Sequence, residues 1–261
     1  MTYIQSIILG IIEGITEFLP ISSTAHLIIT AKALKIPDSN FLSSFLISIQ
    51  LGAILSVAVL YAKTIIKNPK LILKIAAACI PTAIIGLAAY KLVKTYLLES
   101  IPLIAGTLLI GGIVLILLER YFAKRQPQTE APLNSITYKQ AALIGVFQAI
   151  AAIPGVSRSA ATIIGGLGLG ISRKDIVEFS FLLALPTMLA ATGYDLYKSR
   201  GVLGVLTSQD LIVWLIGFIM SFITAIIGIR FFLKFIKKNN FIPFGWYRII
   251  IALIVLAGLL I

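Results

Sequence analysis

The chain has few of the residues that soluble enzymes work with. Of its 261 residues, one is cysteine, one is histidine and only 10 are Asp or Glu. The single cysteine, Cys79, allows no internal disulfide and no cysteine-based metal site. Lying in an apolar run, it reads as a small buried side chain. Charged residues make up 12% of the chain, where a soluble domain carries about 25%. The short alternating apolar–polar segments of a membrane β-barrel are also missing. The N-terminus has no basic region ahead of its apolar stretch, so no cleavable signal peptide is expected.

What is present is hydrophobic, at 59% of all residues. Apolar runs of about 20 residues recur, enough to cross a bilayer as helix. Lipid offers the backbone no hydrogen-bond partner, so spans must satisfy themselves internally. The expected fold class is an all-α polytopic membrane protein. The net charge of +12 does not point to nucleic acid. Its cations sit between apolar runs, where they set topology and meet lipid headgroups. The bilayer is therefore the expected partner.

Scarcity makes one stretch conspicuous: GIIEGITEFLPISSTAHLIIT, Gly10–Thr30. It holds Glu13 and Glu17, then Pro20, then Ser22, Ser23 and Thr24, then the lone histidine, His26. A carboxylate at mid-bilayer costs roughly 2.5–3.5 kcal/mol, so two retained beside a helix break suggest a built site. Residues 3–18 predict a helix about 24 Å long, short of the roughly 30 Å hydrocarbon layer. Pro20 disfavours helix at the residue before it. Ser22 or Ser23 can cap a second helix that runs to about Leu34. Two short helices joined by a break predict a re-entrant hairpin over 3–34. One proline-kinked span is the alternative.

Spans are expected at 40–61, 74–93 and 102–122. The polar stretch 123–137 follows as a cytoplasmic linker between a first repeat, 1–122, and a second, 138–261. The second repeat opens as the first does. YKQAALIGVFQAIAAIPGVSRSAATIIGG, from Tyr138, aligns with residues 3–31 at an offset of 135. Gln148 falls under Glu13, Ser157 under Ser22, Arg158 under Ser23 and Ser159 under Thr24. A second hairpin is expected over 138–171, with spans at 175–197, 208–236 and 243–261. If both early pieces are hairpins, fourteen of the 22 Lys and Arg residues fall on one face. Six fall on the other: Lys32, Lys35, Lys91, Lys94, Lys198 and Arg200. The richer face belongs in the cytoplasm. Both termini then lie outside and the halves have opposite orientation, an inverted repeat.

Each break has its own chemistry. Glu13 and Glu17, four apart, share a helix face. Two adjacent carboxylates repel unless one is protonated or both share a cation. Their oxygens suit Mg²⁺ or Ca²⁺. The hydroxyl run Ser22, Ser23 and Thr24 begins a helix, where free amides and the dipole attract anions. Ser23 and His26, three apart, make a nucleophile–base candidate. In PGVSRSAAT, Pro154–Thr162, Ser157, Arg158 and Ser159 stand at a helix start. There an arginine's fork and the helix-start amides suit phosphate. Together the breaks fit a phosphate or diphosphate headgroup carried on a lipid. Blander readings stay open: a structural Glu13–Arg158 ion pair, or hydroxyls bonded only to their own backbone.

EGITEFLPISSTAH (Glu13–His26) and PGVSRSAAT resemble the two signatures of the undecaprenyl-diphosphatase family, also known as bacitracin-resistance proteins. SFLISIQLGAILSV (Ser44–Val57) is similar to a third block, and FIPFGWYR (Phe241–Arg248) to a weaker fourth. The resemblance implies a membrane phosphatase that cleaves polyprenyl diphosphate to the monophosphate and inorganic phosphate, recycling the carrier of envelope glycans. It implies Glu17, Ser23, His26 and Arg158 as catalytic residues. It implies Ser157, Ser159 and Thr162 as supporting positions. With the reading of the residues, Glu13, Ser22 and Thr24 are expected around the substrate beside them, and Glu13 and Glu17 on a divalent cation. The site would open to the extracytoplasmic side of the cell membrane. Ala25 and Ala160 stand where the family usually has glycine, which touches fine geometry and removes no reactive group. A homodimer is a candidate assembly. A polyprenyl-phosphate transporter on the same inverted repeat is the alternative, and an ion-coupled exchanger using Glu13 and Glu17 is a third reading.

Overall fold

The computed structural model describes residues 1–96, 100–123, 133–198 and 207–258. Among them the secondary structure is all helical, with no strand. The helices are α1 (Tyr3–Thr16), α2 (Ser23–Ala33), α3 (Asn40–Lys67), α4 (Pro69–Tyr96) and α5 (Ile101–Ala123). After them come α6 (Tyr138–Ala149), α7 (Arg158–Gly168), α8 (Arg173–Lys198), α9 (Ser208–Ile236) and α10 (Ile242–Gly258). Short 3-10 turns lie at Leu133–Ser135 and Ile150–Ala152. Five helices, α3, α4, α5, α8 and α9, are long and apolar enough to cross a membrane. The chain is a polytopic membrane protein.

Several boundaries differ from the expected ones. The first helix stops at Thr16 rather than 18, because Pro20 lacks the N–H that would donate the next helical bond to the Thr16 carbonyl. The span expected at 40–61 runs on to Lys67, and the next begins at Pro69 rather than 74. Lysine is a good helix former, so Lys63, Lys67 and Lys70 extend these helices. Only Asn68 separates the two, with Pro69 at a helical first position that costs it nothing. The expected sixth span, 243–261, is the 17-residue α10, shorter than the other five; residues 259–261 lie outside the described residues. So does most of the 123–137 linker.

The repeat seen in the sequence recurs in local structure at the same offset. Thr2 caps α1 and Thr137 caps α6, each in a reciprocal box with the glutamine three residues on. Gln5 Nε2 donates to Leu34 O at 3.3 Å, tying the end of α2 to the start of α1. Gln140 Nε2 donates to Leu169 O at 3.2 Å in the same way. The chain leaves α2 through Lys35 at φ 51° and α7 through Gly170 at φ 76°. Left-handed residues just past a helix end are a common stop signal.

The chain packs into two compact units. One comprises Met1–Phe18, Ser23–Ala62 and Ala184–Phe231. Its core gathers Leu9, Leu27, Ala31, Leu42, Phe45, Ile49 and Val213. Here α1 lies against α9 with almost no space between backbones. A Cβ on Gly10 would meet Gly217 O, and one on Gly14 would meet Thr224 Oγ1. Ser6 Oγ donates to Val213 O at 2.6 Å across the same contact. The other unit comprises Leu19–Ser22, Lys63–Leu183 and Phe232–Ile261. In it α6 lies against α4 in the same fashion, with Gly145 facing Ala78 O. Thr82 Oγ1 donates to Gly145 O at 2.8 Å. In this unit α5 and α10 also meet through facing glycines, Gly112 and Gly245. Small residues let membrane helices approach this closely, where packing and hydrogen bonds replace the hydrophobic drive.

Gly145→Ala should therefore destabilise the detergent-solubilised protein by about 1–3 kcal/mol through overpacking. Gly86→Ala, where a Cβ meets nothing within 4 Å, should leave thermal unfolding unchanged or raise it slightly.

Candidate active site

The first break is the turn that follows α1. Glu13 sits on α1, fully buried, and Glu17 just past its end is buried too. The Glu17 N–H still closes a helical bond to Glu13 O at 2.9 Å, which keeps the two carboxylates one turn apart on one face. Ser23 opens α2, and its hydroxyl donates to Glu17 Oε2 at 2.5 Å. A hydroxyl on a carboxylate at this distance is a strong, charge-assisted bond. It orients the oxygen and gives its proton an acceptor. Thr24 and His26 are half-buried on the first turn of α2. Ser22, just before α2, is buried with φ 70°. That conformation costs a non-glycine residue roughly 1–2 kcal/mol, and such costs gather at functional sites.

The second break lies between α6 and α7. Gly155 takes φ 84°, and a Cβ there would strike Thr107 Oγ1. Both facts demand glycine. Ser157 caps α7, accepting from Ala160 N at 3.2 Å. Arg158 is the first residue of α7 and half-buried. Its Nη1 donates to Ser180 O at 3.0 Å and to Ser180 Oγ at 3.3 Å. Thr162 Oγ1 lies 2.7 Å from Ser180 Oγ and 3.0 and 3.1 Å from the carbonyls of Ser159 and Arg158. Thr162 thus has hydrogen-bond partners within the protein, among them the Ser180 on which Arg158 rests. Ser159 is buried beside it in sequence, on the first turn of α7.

The segment Leu19–Ser22 and the second break belong to one compact unit, and the structure joins them. Ser157 Oγ donates to Leu19 O at 3.5 Å. Arg248 Nη1 donates to Pro20 O at 3.2 Å and Nη2 to Gly155 O at 3.1 Å. Glu17 and Ser23 flank Leu19–Ser22 in the chain, and Arg158 follows Ser157. The two turns, Leu19–Ser22 and Pro154–Ser157, are therefore fastened together within this unit.

Three participants escape sequence reasoning: Ser180 on α8, Thr107 on α5 and Arg248 on α10. The Thr107 hydroxyl has two acceptors for its one proton, Pro154 O at 2.8 Å and its own helix's Ile104 O at 2.9 Å. Only Arg248 left a trace in the sequence, as an arginine inside an apolar run that fits neither loop face. Gln148, aligned with Glu13, is likewise buried, but its Nε2 donates to Thr82 Oγ1 at 3.2 Å. Where the first repeat has a carboxylate, the second has an amide bonded to the neighbouring helix.

A family model described as bacitracin resistance protein BacA matches residues 6–254 of the chain. The chain is 50% identical over 257 residues to an undecaprenyl-diphosphatase of Aquifex aeolicus, covering 97% of each. It is 48% identical over 256 residues to one from Wolinella succinogenes, covering 98% of each. It is 45% identical to one from Campylobacter fetus over the full length of both.

Thr107→Val keeps the volume but strips Pro154 O of its partner. An unsatisfied buried carbonyl costs about 1–3 kcal/mol. Hydrogen exchange should quicken at the amides of Ile153, Gly155, Val156 and Ser157 and stay unchanged along α3.

Proposed function

The chain belongs to the bacitracin resistance protein family, and we propose that it is the membrane phosphatase hydrolysing undecaprenyl diphosphate to the monophosphate and inorganic phosphate. The relatives that match nearly its whole length are named for this activity. The observation that carries the chemistry is the 2.5 Å bond from Ser23 to Glu17. A carrier has to recognise charge but has no use for a polarised hydroxyl, whereas a hydrolase does.

In this reading the diphosphate engages the two joined breaks. Arg158 and the amides that open α7 offset charge on the phosphoryl group being transferred. Ser22, Thr24, Ser157 and Ser159 line the headgroup, and Thr162 braces Ser180. Ser23 attacks the terminal phosphorus, or orients water to do so, with Glu17 and His26 as candidate bases. The anhydride P–O bond breaks, lipid monophosphate departs, and water completes the release of inorganic phosphate.

Glu13 and Glu17 are suited to a divalent cation, Mg²⁺ or Ca²⁺. Both are buried carboxylates one helical turn apart, a hard-oxygen donor pair. Among the described residues no group of three or more His, Cys, Asp or Glu is arranged to hold a metal. The remaining ligand positions would fall to phosphate oxygens and water, a common arrangement for Mg²⁺. Such an ion, when bound, would polarise the diphosphate as a Lewis acid.

Topology follows the same reading. The two short helix pairs, α1–α2 and α6–α7, are re-entrant hairpins entering from opposite faces of the cell membrane. The shared offset of their caps and turns supports two like halves, and the Lys/Arg bias supports opposite orientation. Both termini are then extracytoplasmic, and the first hairpin opens the site to that side.

Purified protein should release phosphate from a defined polyprenyl diphosphate, and a chelator should stop it. Arg158→Ala and Glu17→Ala should abolish release while the protein remains in the membrane. Ser23→Ala should do the same, and near-normal turnover in that variant would mean the bond to Glu17 has no catalytic part. Retained turnover in Arg158→Ala would remove the assignment.

A further inference from the structure

Arg248 is 1% exposed in the middle of the apolar helix α10. Four donor contacts of its guanidinium go to backbone carbonyls. Nε donates to Leu108 O at 3.4 Å, and Nη2 to Thr107 O at 3.2 Å and Gly155 O at 3.1 Å. Nη1 donates to Pro20 O at 3.2 Å. No carboxylate among the described residues pairs with it. One planar group thus holds the first break at Pro20, the second at Gly155 and the wall of α5 at Thr107 and Leu108.

The site is cut to admit it. A Cβ on Gly111 would run into Nη2 and crowd the rest of the guanidinium. Thr107, whose carbonyl Arg248 binds, sends its hydroxyl to Pro154 O beside Gly155. Burying a cation without a carboxylate is expensive, and a purely structural contact between α5 and α10 has no need of it. Those helices already meet through Gly112 and Gly245. A lysine could not replace it in kind. The fork's fixed plane reaches several acceptors at once, while an ammonium is a single point on a flexible stem.

We propose that Arg248 is a positioning residue for the phosphatase reaction. It sets the spacing of the two turns, Leu19–Ser22 and Pro154–Ser157, that the diphosphate engages. It is not a ligand of that diphosphate, because it is 1% exposed and four of its five N–H groups go to backbone carbonyls. The proposal rests on the phosphatase reading. Misplacing reacting groups by about 1 Å costs on the order of 100-fold in rate, and the lipid tail and Arg158 still bind substrate. The signature is therefore a fall in kcat with KM nearly kept.

The test compares parent, Arg248→Lys, Arg248→Met and Gly111→Ala in detergent, by steady-state phosphate release and by thermal unfolding. Gly111→Ala leaves the charge in place and displaces only the fork, so it decides the matter where Arg248→Met does not fold. Expected are a kcat loss of about 100-fold for Gly111→Ala, a KM within about threefold of the parent, and a smaller loss in Arg248→Lys than in Arg248→Met. Folded Gly111→Ala and Arg248→Lys with kcat within about threefold of the parent would overturn the inference. So would a kcat loss that merely tracks the unfolded fraction. A parent that releases no phosphate would instead overturn the phosphatase reading itself.

Discussion

A helix broken in an apolar medium leaves carbonyls that water cannot reach, and the protein must satisfy them itself. Most of this structure around the site follows from that demand. The carbonyls of Leu19, Pro20, Pro154 and Gly155 each accept from a side chain: Ser157, Arg248, Thr107 and Arg248 in turn. None of these bonds belongs to regular secondary structure, and all but the Ser157 bond come from spans far off in sequence. With carbonyls held from behind, the turns can present helix starts and hydroxyls to an anion. Glycine is required where this crowding is worst, at Gly155 and Gly111.

The same economy explains how two similar halves came to differ. Their frame is common: capping boxes at Thr2 and Thr137, glutamine ties to Leu34 and Leu169, left-handed exits at Lys35 and Gly170. These features fix where the short helices begin and end. They say nothing about what stands on the helix. On α1 that is Glu13, on α6 it is Gln148, whose amide bonds to Thr82. At the start of α2 it is Ser23, at the start of α7 it is Arg158. The serine hydroxyl and the carboxylates fall to one copy, the fixed cation to the other. A buried carboxylate pair suits a site that gains a cation or shares a proton, and one such pair is enough.

The two breaks were legible because their causes are local: a proline, a glycine or a capping serine acts within a few residues, and the alignment at offset 135 doubled the signal. The capping boxes and glutamine ties were not read, although they too are local. The long apolar helices were legible by composition, α9 to the residue. Helix ends were not, because Lys63, Lys67 and Lys70 read as loop charge although lysine carries helix well. The supports of the site were hidden for another reason. Ser180, Thr107 and Arg248 belong to helices whose neighbours are set by packing, and their partners lie 22, 47 and up to 228 residues away. Nothing in a threonine or serine within an apolar run distinguishes one that bonds its own helix from one that holds a distant turn. A lone arginine in such a run is different: its cost alone signals a partner, though not which.

The fastening of the breaks also separates hydrolysis from transport. An alternating-access carrier lets its repeats rock about the bound substrate, so the broken helices must shift against one another. Here a guanidinium fork bonds both breaks and α5 at once, and Ser157 adds a direct link from one break to the other. Moving either turn would strand carbonyls in a medium with no replacement donors, at about 1–3 kcal/mol apiece. A hydrolase gains from that resistance. Its transition state is stabilised only by donors already in place when charge develops, so a rigid pair of turns lowers the barrier while a mobile pair raises it. The backbone that membrane burial forces the protein to satisfy is thereby also the backbone that holds the turns Leu19–Ser22 and Pro154–Ser157 in register.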